Sequence, residues 1–307
     1  MFLKVLFPVL AVIVISYIVS RYKKIGAYEL SVLAIYILTP ALILRSFDMY
    51  GDLLLGNIAI TTIHLVIQAI VMYLLSSLVS RMMRLSRRSK YAFIIMSFLP
   101  NTGNIGIPVI ELYLGTKASS YATLILVITS IMTQTYCVYL ASRGVHSRGN
   151  SLKDVLTSVK NILSLPLIYV FLFGITLSVA NIKLPFFLKD PIYGVGFSAL
   201  ILGLIQLGVV LGRVRIRLIP INFVIITGLM KLIVSPIVAF GIAYILGVSG
   251  TELKVIILQY AMPSALYSSI IASFFKLIPR TVGVSVFFST VAGFLTLYAL
   301  IEILSLF

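Results

Sequence analysis

The sequence predicts an all-α polytopic membrane protein: ten transmembrane helices arranged as two inverted five-helix repeats, with helices 4 and 9 broken. Three observations carry this. Of the 307 side chains, 61% are hydrophobic and 10% are charged, whereas soluble domains hold about 45–50% apolar and about 25% charged residues. Apolar runs of bilayer-crossing length recur ten times, and the 24 Lys and Arg residues segregate by alternate connectors.

The runs lie at 2–20, 27–46, 54–80, 91–114, 118–140, 161–180, 191–212, 220–246, 252–275 and 281–305. A crossing needs roughly 20 residues, so about 100 remain for connectors. The first run is expected to be a retained helix. Its basic cluster, Arg21, Lys23 and Lys24, follows the apolar stretch, and no A-x-A cleavage pattern precedes it. The expected organisation is a first repeat over 1–140, a polar cytosolic connector over 141–160 and a second repeat over 161–307. The connector carries Arg143, Arg148, Lys153 and Lys160.

Connectors after odd-numbered spans hold seventeen Lys and Arg residues, and those after even-numbered spans, with the span ends that adjoin them, hold five: Arg45, Lys117, Lys183, Lys189 and Lys254. Lys4 and Lys231 fall inside spans. The positive-inside rule then puts the odd connectors in the cytosol and both termini outside it, in a multi-pass protein of the cell membrane. A pI near 10 raises the question of nucleic acid, but a nucleic-acid surface would not partition its charge loop by loop. The partner implied is the lipid bilayer, not nucleic acid. The single cysteine, Cys137, forms no internal bridge.

Prolines repeat weakly. Pro8 and Pro108 stand 100 residues apart, and Pro166 and Pro263 stand 97 apart. Five spans per half is an odd number, so the second half enters the membrane inverted. Inverted repeats of this kind are a transporter architecture.

Span 4 contains Pro100-Asn101-Thr102-Gly103-Asn104-Ile105-Gly106-Ile107-Pro108. Pro108 offers no N–H, which leaves the carbonyl of Asn104 without its helical partner. Hydrocarbon supplies none, so backbone broken at this depth must face a cavity or other protein. Counting from Lys90, Asn101 lies ~16 Å deep, near the midplane. Span 9 has a matching break, Gln259-Tyr260-Ala261-Met262-Pro263-Ser264, ~18 Å from Thr251. Paired interruptions in two inverted halves point to a midplane binding site. The half-helices that begin after the breaks offer free N–H groups and a positive dipole end, which suit an anion. A proline kink without function is the plainer reading of either break alone.

Lys231 falls near mid-depth in span 8, about eleven residues from Pro220. Its stem of about 6 Å does not reach either interface from there. It supplies charge to an anionic substrate, or it forms an ion pair or a backbone-carbonyl anchor. Glu111 and Glu302 are the acids placed deeply enough to pair with it. His64 is a proton relay or a hydrogen-bonded helix contact. Glu111 is an ion-coupling group or a cap on the first turn of its half-helix. Gly208 and Gly212 form a GxxxG, which permits close helix approach inside one chain or between two.

Several activities lack support. Gly51 and Gly56 have P-loop spacing, but Asn57-Ile58 stands where Lys-Ser/Thr is required. H-E-x-x-H and G-x-S-x-G are absent. The sequence therefore indicates no enzyme, no metal site and no cofactor.

Leu99-Pro100-Asn101-Thr102, followed by Gly106-Ile107-Pro108, resembles the L-P-N-T-x-x-x-G-I-P signature of the auxin efflux carrier family, the plant PIN proteins and their prokaryotic relatives. Gln259 to Pro263 resembles that family's Q-x-A-x-P, and Lys231 stands five residues before Pro236, where plant members also carry a base. The resemblance covers most of the chain and is of the prokaryotic type. The long cytosolic loop of many plant members is missing, and Ser264 stands where they often carry glutamine.

The resemblance implies a scaffold of spans 1, 2, 6 and 7 that often forms a homodimer. Spans 3–5 and 8–10 would form a moving transport domain in which the broken helices cross and hold the substrate, with Asn101 on a substrate carboxylate. The site residues expected are Asn101, Thr102, Asn104, Pro108, Gln259, Pro263, Ser264 and Lys231, with Glu111 and His64 as ion-coupling candidates. The function expected is secondary transport of a small organic anion, most simply efflux by elevator-type alternating access. The alternatives are ion-coupled uptake of a dicarboxylate, or a membrane receptor or enzyme built on the same cavity.

Overall fold

A computed structural model of the protein describes residues 2–145, 165–214 and 219–306. The connector expected at 141–160 lies outside the described residues from 146 onward, together with Arg148, Lys153, Asp154 and Lys160. Arg215 and Arg217 lie outside them as well.

Among the described residues every named element is helical. The first half of the chain contributes α1 (Phe2–Tyr22), α2 (Ala27–Leu33), α3 (Thr39–Met82), α4 (Arg87–Phe98), α5 (Ile107–Leu114), α6 (Thr116–Met132) and α7 (Val138–Val145). The second contributes α8 (Pro166–Val179), α9 (Phe186–Gly212), α10 (Ile221–Leu229), α11 (Ser235–Ile245), α12 (Gly250–Ala261), α13 (Leu266–Phe274) and α14 (Pro279–Leu304). Among the described residues six helical stretches are long and apolar enough to cross a membrane: Leu3–Tyr22, Ala27–Met82, Thr116–Val145, Phe186–Gly212, Ile221–Ile245 and Pro279–Leu304. Shorter apolar helices accompany them, and the fold is that of a polytopic membrane protein. Large side chains such as Phe186 and Ile245 stand 86% and 84% exposed, as expected where the surrounding solvent is lipid.

Two local features were not anticipated. The connector expected at 47–53 is helical: α3 runs through it, with non-helical backbone only at Tyr50 (φ −137°, ψ 37°). In addition, π-helical turns occupy Ala34–Leu38, Thr102–Gly106, Thr133–Cys137 and Met230–Val234. Three of the four end two residues before a proline: Pro40, Pro108 and Pro236. Each proline removes one N–H from the ladder, and a widened turn just ahead of it is one way a helix absorbs that loss. Pro108 and Pro236 then sit in the first turns of α5 and α11, where a missing donor costs little.

The chain divides into two compact units. One comprises Met1–Thr62, Thr102–Ile128 and Leu163–Arg213; the other comprises Ile63–Asn101, Thr129–Ile162 and Val214–Phe307.

In the first unit, α1, α2 and α5 pack against α9, and its glycines set the approach. A Cβ on Gly208 would lie 2.4 Å from the Ile13 carbonyl oxygen, and one on Gly212 would lie 2.0 Å from Ser20 Oγ. The GxxxG motif is thus used inside one chain, to bring α1 onto α9. Gly203 does the same for the backbone of Asn104, and Gly196 for that of Ala41. Asp48 fastens α3 to the α8–α9 connector: its carboxylate accepts from the Leu184 N–H (2.7 Å) and the Tyr193 hydroxyl (2.5 Å), while Lys183 Nζ donates to its main-chain oxygen (2.7 Å).

In the second unit, Phe93 of α4 packs edge-on against Phe223 of α10 at 5.8 Å, and Phe98 packs against Tyr136 at 5.6 Å. The backbone of α14 passes close to Pro263, since a Cβ on Gly293 would meet its ring at 3.2 Å.

Candidate functional site

Two breaks far apart in sequence meet in the second unit. After Phe98 the chain becomes extended at Leu99 (φ −78°, ψ 107°), and after Ala261 it becomes extended at Met262 (φ −60°, ψ 146°). The two extended links run antiparallel through a bridge between Pro100 and Ser264. The Asn101 N–H donates to the Pro263 carbonyl at 2.9 Å, and the Ala265 N–H donates to the Leu99 carbonyl at 3.0 Å. Each link thus satisfies part of the backbone that the other leaves open, which is what polar main chain buried in an apolar medium requires.

Side chains complete the accounting. Pro100 has no N–H, so the Met96 carbonyl, four residues earlier, lacks its helical donor. The Ser264 hydroxyl supplies one at 3.0 Å. At the end of α12, the Tyr260 carbonyl accepts from Lys231 Nζ at 2.8 Å, and the same ammonium donates to Ser235 Oγ at 3.2 Å. Lys231 is fully buried, and among the described residues no carboxylate lies within 4.0 Å of it. Its charge rests instead on the negative end of a helix dipole and over the Tyr260 ring at 5.9 Å. The carbonyl anchor considered from sequence is the contact that Lys231 makes.

His64 is buried, with Nε2 donating to the Ala239 carbonyl at 3.0 Å and its ring 5.4 Å from that of Tyr260. Gln68, one turn further along α3, donates to the Ser235 carbonyl at 3.0 Å. Gln134 donates to the Tyr267 hydroxyl at 2.7 Å.

Against this satisfied frame stand several unpartnered groups. Asn101 Nδ2, both amide atoms of Gln259, Gln68 Oε1 and the hydroxyls of Ser268 and Ser285 are buried without a partner among the described residues. A buried polar group left unmatched costs roughly 1–3 kcal/mol, and all of these lie in the second unit. The N-terminus of α13 adds main-chain donors, because its first residues follow Ala265 without a side-chain cap.

Thr102, Asn104, Pro108 and Glu111 belong to the first unit. Thr102 and Pro108 are buried and Asn104 is half-buried. The Glu111 carboxylate pairs with Arg45 at 3.8 Å and accepts from the Thr116 hydroxyl at 2.9 Å and from the Ser119 hydroxyl. It therefore serves the first turn of the following helix, α6, rather than that of its own.

Sequence reasoning missed Gln68, Ser235, Gln134 and Tyr267. Two signals were available. Gln68 follows His64 by four residues, and Ser235 follows Lys231 by four, so each pair shares a helix face.

Residues 1–301 match the family described as membrane transport protein. A protein of Methanothermobacter thermautotrophicus named as an uncharacterized transporter is 24% identical over 296 residues, covering 94% of both chains. A second so named, from Methanocaldococcus jannaschii, is 25% identical over 208 residues, covering 66% of this chain and 65% of its own.

Proposed function

Because the chain belongs to the membrane transport protein family, the auxin efflux carrier-like transporters, we propose that it is a secondary carrier of a small organic anion. The observation that carries this reading is the pair of breaks joined at Pro100 and Ser264, with the unpartnered amides of Asn101 and Gln259 in the same unit. Amide N–H groups and the open N-terminus of α13 are donors, and donors in an apolar medium suit a carboxylate. Thr102, Asn104 and Pro108 follow Asn101 in the chain but belong to the first unit, and the reading rests on the second.

Lys231 enters this reading as the group that holds the end of α12, and His64 as a helix contact. Glu111 is committed to Arg45, Thr116 and Ser119, so no ion coupling is assigned to it. An inside-negative membrane potential contributes roughly 2.3 kcal/mol per charge per 100 mV, which suffices to drive export of a monovalent anion without a coupled ion. The architecture proposed is ten spans in two inverted repeats, with termini outside the cytosol, dimerising through spans 1, 2, 6 and 7. Its transport step is an elevator-type shift of the part that carries the crossing breaks.

Counterflow in proteoliposomes tests the reading. A thermal-shift screen of carboxylic acids first identifies one that stabilises the protein. That acid, labelled outside, should then accumulate in vesicles preloaded with it unlabelled. A stabilising acid that never exchanges across the bilayer would make the protein a receptor or an enzyme instead.

A further inference from the structure

One end of the second unit carries cations for which the transport reading has no use. Arg81, Arg84, Arg87 and Arg88 stand within eight residues from the end of α3 to the start of α4, and Lys276 and Arg280 flank the turn between α13 and α14; all six are exposed. The two connectors are packed together. A Cβ on Gly144 of α7 would lie 2.7 Å from Leu277 Cδ2 and 3.1 Å from Tyr91 Cβ, so Leu277 and the first turns of α4 meet over that glycine. Arg87 Nε donates to the Arg143 carbonyl at 2.8 Å, which ties the start of α4 to the end of α7.

Among the described residues, five of these six cations have no carboxylate partner. The described acids of the unit are Glu252, which opens α12, and Glu302, near the end of α14. Glu302 lies about 33 Å along α14 from Arg280. Among the described residues no carboxylate pairs with Arg81, Arg84, Arg88, Lys276 or Arg280. Both turns are set by non-glycine residues in the left-handed region, Arg84 at φ 51° and Lys276 at φ 55°, an uncommon conformation for long side chains. Interleaved with the cations are large apolar side chains turned outward: Met82 is 75% exposed and Phe274 is 81% exposed.

We propose that this rim binds the phosphate headgroups of anionic phospholipids. Clustered Lys and Arg at the end of a span attract acidic headgroups. Apolar and aromatic side chains beside them belong at the boundary of headgroup and acyl chain. A soluble anion would use the cations but would have no use for Met82 and Phe274, and this favours lipid as the source of the phosphate.

The test uses the full chain in nanodiscs of phosphatidylcholine alone or mixed with phosphatidylglycerol, with lipid retained after release counted by native mass spectrometry. The wild-type protein should keep phosphatidylglycerol in preference to phosphatidylcholine. Arg84→Gln with Arg88→Gln should lower that preference about thirtyfold at low salt, whereas Lys254→Gln, at the start of α12, should leave it unchanged. Met82→Ser with Phe274→Ser should weaken retention of phosphatidylglycerol. Undiminished preference in the double Gln variant would overturn the proposal. So would displacement of the lipid by soluble glycerol phosphate as readily as by phosphatidylglycerol, which would make the rim a site for free anions.

Discussion

The ammonium of Lys231 lies 2.8 Å from the main-chain oxygen of Tyr260, a carbonyl that α12 leaves open where the chain turns toward Pro263. A cation fully buried in a membrane protein is costly unless something negative meets it. Here the partner is the end of a helix rather than a carboxylate. The contact joins the π-helical turn at Met230–Val234 to the end of α12 and makes Lys231 a candidate for holding the crossing in shape.

Removing that contact should therefore show first as lost stability. Lys231→Met leaves the Tyr260 carbonyl and Ser235 Oγ without this donor, and unfolding in detergent should shift by roughly 1–3 kcal/mol. Lys231→Gln, which retains a shorter donor, should lose less. Unchanged stability with weakened binding of a stabilising carboxylic acid would instead assign Lys231 to the substrate.

Asn101→Ala and Gln259→Ala should behave in the opposite way. Asn101 Nδ2 and both amide atoms of Gln259 have no partner among the described residues, so truncation removes an unmatched polar group and should leave apo stability equal or higher. Counterflow should fall strongly in both. Normal counterflow in both variants would place the substrate elsewhere.

Ser264 is expected to separate from these two although it stands at the same crossing. Its hydroxyl serves the Met96 carbonyl, so Ser264→Ala should destabilise by about 1 kcal/mol, and Ser264→Thr should recover part of the loss. Acid binding in the alanine variant should remain close to wild type, as read by thermal shift with and without ligand.

Gly208→Ala introduces a Cβ that would sit 2.4 Å from the Ile13 carbonyl oxygen, which is main chain and cannot rotate away. Overpacking of this kind typically costs 1–3 kcal/mol, measurable by thermal unfolding. Because the glycine serves α1 of the same chain, the oligomeric state by light scattering should not change.

The charge segregation makes a topological prediction. Reporters fused at either terminus should lie outside the cytosol, and one inserted between Arg81 and Lys90 should lie inside. Termini on opposite faces would remove the ten-span arrangement and the inverted repeat with it.

What the sequence by itself determined is the medium and the places where helices stop. Hydropathy belongs to each residue, and a proline lacks its N–H wherever it stands, so the interruptions at Pro100 and Pro263 and the buried position of Lys231 were legible without a fold. The connector at 47–53 misled, because Asp48 and its neighbours read as loop until the partners of Asp48, Leu184 and Tyr193, are seen to hold them in a helix. Tertiary structure alone decided that the two breaks bond to each other, that Ser264 repairs the carbonyl opened by Pro100, and that Lys231 meets Tyr260. It also decided that Glu111 faces Arg45 and that Gly208 receives α1. Each of these joins positions from 29 to 195 residues apart. Local periodicity records which face of a helix is apolar. It holds no information about which distant backbone will stand opposite that face, and at these positions the identity of the opposing atom is what gives each residue its role.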